Sequence, residues 1–295
     1  MDVIIIGGSY AGLSAAMALG RSMREVLVID SGKPCNAQTP HSHNFLTQDG
    51  RTPYEIAAIG RDQLSAYPSV KIVNDIATSG RRTDSGFAID LASGETVSAR
   101  KLIFTTGVRD QLPTIPGVAE CWGISVIHCP YCHGYEYRRQ KTAVLGDGEI
   151  AMHYAPLLLN LTKELTILTN GKSTFTEEQR AKLVSHNVKI NESKVVRVEH
   201  RNGYLTDVIT EQGQVQCDAV YFRPPFEQHS SIPADLGCEF TEQGYLKVDA
   251  TQKTTVDGVY AAGDNSSPMR SVANAVSTGN MAGAAVNREL AMEMF

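Results

Sequence analysis

Two stretches of the chain share one rhythm. Each begins with an uninterrupted apolar run, passes through a glycine-rich turn, and continues with small and apolar residues at helical spacing. The first is DVIIIGGSYAGLSAAMALGR followed by EVLVID; the second is KTAVLGDGEIAMHYAPLLLN followed by ELTILTN. Short apolar runs without alternation predict strands buried on both faces, which belong to parallel sheets. Strand, glycine turn, helix and strand in that order predict a βαβ nucleotide-binding unit. Two such units are expected, each opening its own domain.

Between them, GFAIDLASGETV and KLIFTTGV alternate as hairpin and sheet strands do, and DQLPTIPGV carries two prolines suited to a crossing between domains. Beyond the second unit, VKINES, KVVRVEHRNG and LTDVITEQG are further strand candidates, and Pro224-Pro225 in AVYFRPPFEQ marks another break. The tail holds GYLKVD, GVYAAGDN and a small-residue helix from about Ser271, with no nucleotide turn of its own. A tail of this kind is expected to complete the first domain. The fold predicted is α/β, with two Rossmann-like three-layer nucleotide-binding domains, the second inserted in the first. Residues 1–113 and 229–295 make the discontinuous domain, and 114–228 the inserted one.

Composition narrows the function. The 295 residues carry 27 basic and 32 acidic side chains, a formal charge of -5. That balance offers no basic field for nucleic acid and no polybasic run for a lipid surface, so neither partner is expected. Met1 runs directly into DVIIIGG, without the basic leader and cleavage site of a signal peptide, and no apolar run approaches the roughly 20 residues that span a bilayer. A cytoplasmic protein is expected. Six cysteines in a reducing compartment do not make a disulfide scaffold. Cys35, Cys121, Cys217 and Cys238 stand alone and read as small apolar side chains; only Cys129 and Cys132 form a pair.

In GGSYAG, Gly7 and Gly12 fit the outer positions of a dinucleotide turn, while Ser9 takes the place where a third glycine would let the backbone approach a pyrophosphate. Asp30 ends the following strand, where a carboxylate can accept from an adenosine ribose. In GDGEIA, Gly146, Gly148 and Ala151 keep the full spacing, but Asp147 and Glu149 put negative charge beside an anion site. They must point away from it, or the site binds weakly. After the next strand, ILTNGKSTF offers Lys172 as the only nearby cation and no acid, which leans slightly toward NADP over NAD.

Three readings compete for HCPYCHGYE, residues 128–136. A zinc site needs four ligands, and no second Cys-x-x-Cys or His-x-x-x-His is present to complete one, so no metal is expected. Inert reduced thiols are the second reading. The third is a redox dithiol: this spacing lets two sulfurs close a ring at a helix start, where the peptide dipole favours a thiolate. His133, directly after Cys132, has the right ordinary pKa to carry the proton. Position between two nucleotide turns favours the redox reading.

From end to end, IIIGGSYAG, FTTGV, HCPYCHG, GDGEIA, GYLKVD and GVYAAGDN fall in the order of the low-molecular-weight thioredoxin reductases, which the chain resembles. The resemblance implies an FAD-dependent disulfide oxidoreductase and a homodimer, with FAD in the discontinuous domain and NADPH in the inserted one. It makes Cys132 the flavin-proximal sulfur and Cys129 the one that attacks the substrate. It counts Gly7, Ser9, Tyr10, Ala11 and Gly12, Asp30 with Ser31, Asn44, Thr47, Gly107, Gly263 with Asp264, and Arg270, Ser271 and Val272 as FAD contacts. Asp264 would hold the ribityl chain; Asn44, Thr47 and the 270–272 loop would lie near the flavin ring. Gly146, Gly148, Ala151 and Lys172 would serve the nicotinamide nucleotide. The chain departs from the family where His133 replaces an aspartate, a feature similar to the subfamily acting on small cyclic disulfides. It also lacks the basic pair and downstream arginine for a 2′-phosphate around Asn170 to Phe175, which leaves NADH or ferredoxin as alternative donors. The expected substrate is thioredoxin or a similar disulfide; the alternatives are a small-molecule dithiol oxidase or disulfide reductase, and, in another class, a flavin-binding redox sensor.

Overall fold

The computed structural model describes residues 1–295. The chain opens with strand β1 (Val3–Ile6), helix α1 (Tyr10–Arg21) and strand β2 (Val26–Asp30). Helix α2 (Pro53–Leu64) and strand β3 (Val70–Asn74) follow. Next come β4 (Ala77–Thr83), β5 (Gly86–Leu91) and β6 (Thr96–Ala99), then β7 (Lys101–Phe104) and the short β8 (Val108–Asp110). The middle of the chain holds α3 (Val118–Cys121), β9 (Val126–Ile127), α4 (Pro130–His133), β10 (Thr142–Leu145), α5 (Gly148–Leu158), β11 (Leu165–Leu168) and α6 (Glu177–Ser185). It continues through β12 (Lys189–Asn191), β13 (Val195–Arg201), β14 (Tyr204–Thr210), β15 (Gly213–Gln216) and β16 (Ala219–Phe222). The tail is β17 (Phe226–Gln228), α7 (Ile232–Asp235), β18 (Val259–Ala261) and α8 (Val272–Met292).

The chain divides into two units. One comprises Met1–Ala37, Phe45–Arg109 and Phe226–Phe295; the other comprises Gln38–Asn44 and Asp110–Pro225. Residues 38–44 and 110–113, placed in the first domain by sequence, thus pack with the second unit, and residues 226–228, placed in the second by sequence, pack with the first. The reason is local bonding. The Gln38 side chain donates to the Trp122 carbonyl at 2.7 Å, His43 Nε2 lies 3.5 Å from Glu136 Oε1, and the Gln111 amide donates to the Pro225 carbonyl at 2.8 Å.

In the first unit a parallel sheet runs in the order β18-β7-β1-β2-β3. β1 and β7 are buried at every residue, which explains their unalternating sequence. One face packs on α1 and α8 through Ala15, Leu19, Ala282 and Val286; the other packs on the β4-β5-β6 sheet and the tail through Phe87, Ile89, Ile232 and Leu246. Small residues let α1 and α8 touch: a Cβ at Gly283 would stand 2.7 Å from the Ala15 carbonyl oxygen. The tail of the chain completes this unit because β18 is the sheet edge beside β7 and α8 covers α1.

The second unit repeats the scheme. Its parallel sheet runs β12-β11-β10-β16-β9, with a separate antiparallel β13-β14-β15 sheet. Val144, Ile167 and Tyr221 pack on α5 and α6; Ala143, Leu145 and Val220 pack on Val198 and Val208 of the antiparallel sheet. A Thr176–Gln179 capping box starts α6, as Thr52 and Glu55 start α2. No helix is long and apolar enough to cross a membrane.

Candidate functional site

The glycine turn of the first unit follows β1, and that of the second follows β10 at the centre of its parallel sheet. In the first unit Gly7 takes φ +105°, and a Cβ there would run into the Thr105 carbonyl. A Cβ on Gly12 would overlap the Gly7 carbonyl oxygen, so α1 can lie against the turn only without one. Ser9, in the place where a third glycine is usual, has φ -89° and ψ -161° as N-cap of α1. That is ordinary extended backbone open to any residue, so the serine imposes no strain. Tyr10 reaches outward to accept from Asn36 at 3.2 Å, and Ala11 is buried under α8.

Asp30 stands at the end of β2, with Oδ1 accepting from the Gly8 amide at 3.2 Å and Oδ2 paired with Arg61 of α2. Arg61 also donates to the Gly8 carbonyl at 3.3 Å. A cavity of about 410 Å³ opens beside this carboxylate, lined by Asp30, Gly32, Arg61, Ile72, Val73 and Asn74. Ser31, the residue after β2, is exposed. The glycine cradle, the carboxylate and the adjoining cavity fit the phosphates, ribose and base of an adenine dinucleotide. Arg61 was not legible as part of this set, because nothing distinguishes it from any surface arginine on an amphipathic helix.

At the other side of the sheet end lie Gly107 at φ +64° and Gly263 at φ +85°, whose amide donates to Thr278 Oγ1 at 3.1 Å. Asp264 is partly buried, 3.5 Å from Arg270 Nε. Ser271 is the N-cap of α8 and accepts from the Asn274 amide, and Val272 begins the helix. Asn265, absent from the sequence reading, is fully buried: its amide donates to the Phe104 carbonyl at 2.9 Å while Oδ1 has no hydrogen-bond partner. An orphaned acceptor at this place suits a hydroxyl or ring N–H of a bound group. Thr47 holds φ +73°, a strained value for a β-branched residue and therefore a pointer to function. Asn44, at φ +60°, falls instead with the second unit's residues.

In the second unit Cys129 and Cys132 are joined as a disulfide, with Cα atoms 5.3 Å apart and both residues half-buried. Cys129 is the N-cap of α4, and its sulfur accepts from the Cys132 amide at 3.1 Å. Because α4 is a single turn, this amide stands in for the helix dipole that the sequence suggested. The other cysteines contribute no second pair: Cys121, Cys217 and Cys238 are buried, and burial pushes the Cys217 thiol up to about 12. His133 ends the same turn. Burial, with His43 nearby as the smaller cause, pushes its imidazole down to about 4, so at neutral pH it is uncharged and able to accept a proton. His128 instead stacks on Trp122, with ring centroids 5.9 Å apart, and its carbonyl accepts from Tyr154 at 2.7 Å. The exposed Tyr131 and Tyr135 flank the disulfide, with the Arg138 guanidinium 3.9 Å above the Tyr135 ring.

The second glycine turn joins β10 to α5. Gly148 has φ +53°, and Ala151 is fully buried against the sheet. The acids beside it are held by the chain itself. Asp147 Oδ2 accepts from the Thr174 amide at 2.7 Å, and Glu149 accepts from the Gln179 side chain at 2.8 Å. Lys172 is exposed, and it is not the only cation in reach: the fold brings Arg180 of α6 to 2.6 Å from Ser173 Oγ, seven residues away. A helix turn separates the two in sequence, so only the folded connection after β11 joins them.

The model of the pyridine nucleotide-disulphide oxidoreductase family matches residues 1–279. The thioredoxin reductase tcpT of Claviceps purpurea (strain 20.1) is 33% identical over all of this chain and 95% of its own length. The thioredoxin reductase sirT of Leptosphaeria maculans is 33% identical over 97% of this chain and 93% of its own. The crystal structure of an oxidoreductase from Agrobacterium tumefaciens superposes with TM-score 0.92 at 37% identity, covering 99% of this chain and 98% of that one. The chain therefore belongs to the pyridine nucleotide-disulphide oxidoreductase family, as an FAD-dependent oxidoreductase of thioredoxin-reductase type.

Proposed function

We propose that the protein moves two electrons between a nicotinamide nucleotide, FAD and the Cys129–Cys132 disulfide, and from the dithiol to thioredoxin or a similar disulfide. The observation that carries this reading is the half-buried disulfide closed within one helical turn, with an uncharged His133 on that same turn. FAD, when bound, supplies the two-electron carrier that links nucleotide to dithiol. The Gly7–Gly12 turn, Asp30 and the cavity beside it would hold its adenosine and phosphates. Asn265 and Asp264 would offer acceptors to its polar groups, with Gly107, Gly263, Thr47 and Arg270–Val272 shaping the rest of that site.

On the protein, reduction of the disulfide breaks the bond between Cys129 and Cys132 and leaves two thiols. The Cys132 amide stabilises the Cys129 thiolate by the hydrogen bond it already makes to that sulfur. Cys129 then attacks the substrate disulfide, releasing one substrate sulfur as thiolate and leaving a mixed disulfide. Cys132 attacks Cys129 Sγ, re-forms the internal disulfide and releases the second substrate sulfur. His133, neutral at working pH, takes the thiol proton that must leave before each attack and returns it to a departing sulfur. A homodimer and a cytoplasmic setting, where the separate cysteines stay reduced, complete the proposal.

A neutral His133 specifically favours a second reading, in which the same dithiol exchanges with a small cyclic dithiol or disulfide. Oxidising such a substrate requires a base for its thiol, and an uncharged imidazole is one. Anaerobic reduction of the bound flavin by NADH and NADPH, followed by thioredoxin or a small cyclic disulfide, separates the two. Rapid reoxidation by thioredoxin supports the first; indifference to thioredoxin with reaction of the small disulfide supports the second. The Cys132→Ser variant should keep flavin reduction and lose disulfide turnover, and intact turnover in that variant refutes the dithiol assignment.

A further inference from the structure

The connection from β11 to α6 is where a second Rossmann unit distinguishes a ribose 2′-hydroxyl from a 2′-phosphate. Three donors converge there on a single oxygen, Glu192 Oε1: the Ser173 amide at 3.0 Å, Ser173 Oγ at 2.5 Å and Arg180 Nη2 at 2.7 Å. Arg180 Nη2 also lies 2.6 Å from Ser173 Oγ, so the donors form one connected set. A backbone amide, a hydroxyl and a guanidinium together are what a phosphate monoester needs. Here the anion is the chain's own, brought in by the residue that follows β12. These bonds hold the Glu192 carboxyl down to about 2, so it stays ionised at any pH of interest.

The next amide is taken as well. Thr174 N–H donates to Asp147 Oδ2 on the glycine turn, and Asp147 Oδ1 is buried with no hydrogen-bond partner. Two consecutive amides thus both face carboxylates. A phosphate entering here would have to expel Glu192 and then lie beside Asp147.

We propose that Glu192 occupies, as an internal anion, the place where this unit would otherwise take a nucleotide's 2′-phosphate, and thereby restricts it to adenine nucleotides with a free 2′-hydroxyl. The inference rests on the reading that the second unit binds a nicotinamide nucleotide, and it makes NADH, not NADPH, the donor that unit selects. Arg180 supplies an arginine of the kind that the sequence lacks between Asn170 and Phe175, but Glu192 has already neutralised it.

Calorimetric titration of the FAD-loaded protein with 5′-AMP and with adenosine 2′,5′-bisphosphate tests this without turnover. The expected result is that the wild type binds the bisphosphate no more tightly than 5′-AMP. Glu192→Ser should leave 5′-AMP unchanged and tighten the bisphosphate by roughly tenfold, the worth of one charge-assisted hydrogen bond. Adding Arg180→Gln should erase that gain. A wild-type preference for the bisphosphate, or no gain in Glu192→Ser while 5′-AMP still binds, overturns the role of Glu192 and leaves the nucleotide reading standing. If neither nucleotide binds any variant, the nucleotide reading itself fails and takes this inference with it.

Discussion

Acidifying the protein from pH 7 should leave His133 uncharged until about pH 4, and this behaviour can be followed directly. An ordinary histidine titrates near 6.5; at His133 burial first, and the His43 charge second, penalise the imidazolium and bring the midpoint to about 4. That difference corresponds to about 3 kcal/mol at 1.36 kcal/mol per unit of pKa. Linkage sets the sign. The folded state binds this proton less readily than the unfolded state, so the contribution is fully present above pH 6.5 and is lost as pH falls from 6.5 toward 4. A shift in the imidazole ¹³Cε1 resonance of labelled protein, assigned by loss of the signal in His133→Gln, reports the midpoint. His43→Ala, which removes the smaller cause, should move the midpoint upward only partway, because burial remains. Exchange activity that uses His133 as base should then stay level from pH 7 down through 6 and fall only well below the usual histidine range. A His133 midpoint near 6.5 in the oxidised protein, or an activity that drops by half at that pH, would refute the reasoning.

Other consequences of the geometry can be checked alongside. Asp30→Ala removes the acceptor beside the 410 Å³ cavity and leaves Arg61 unpaired; FAD should be held roughly tenfold to a hundredfold more weakly, read by flavin fluorescence on dilution. Gly279→Ala places a Cβ on the Ala11 carbonyl where α1 meets α8, which should cost about 1–3 kcal/mol and lower the melting temperature of the first unit by several degrees in calorimetry.

Legibility from sequence followed the range of the interaction. The two βαβ openings could be read because strand, turn and helix are contiguous, and the conformations they need, Gly7 at φ +105° and Gly148 at φ +53°, are ones few residues other than glycine adopt. The Cys-x-x-Cys spacing likewise encloses its whole geometry within one turn. Arg61 and Arg180 could not be read, because their partners Asp30 and Ser173 or Glu192 lie across a strand-helix connection that only the fold closes. Asn265 gave no sign of itself in the sequence: its meaning is a buried acceptor without a donor, and burial is a property of the packed sheet. The segment 38–44 passed for part of the first domain because its contacts with Trp122 and Glu136 are more than eighty residues away.

By itself, then, the sequence determined the fold class, the insertion of one nucleotide unit in another, and the pairing of Cys129 with Cys132 at the start of a helical turn, since each rests on short-range periodicity or on residues a few positions apart. Tertiary structure decided the protonation state of His133, through desolvation that no neighbour in sequence imposes. It also decided which carboxylate fills the anion site after β11, because a residue behind β12 reaches that loop only when β11 and β12 pair side by side in the sheet.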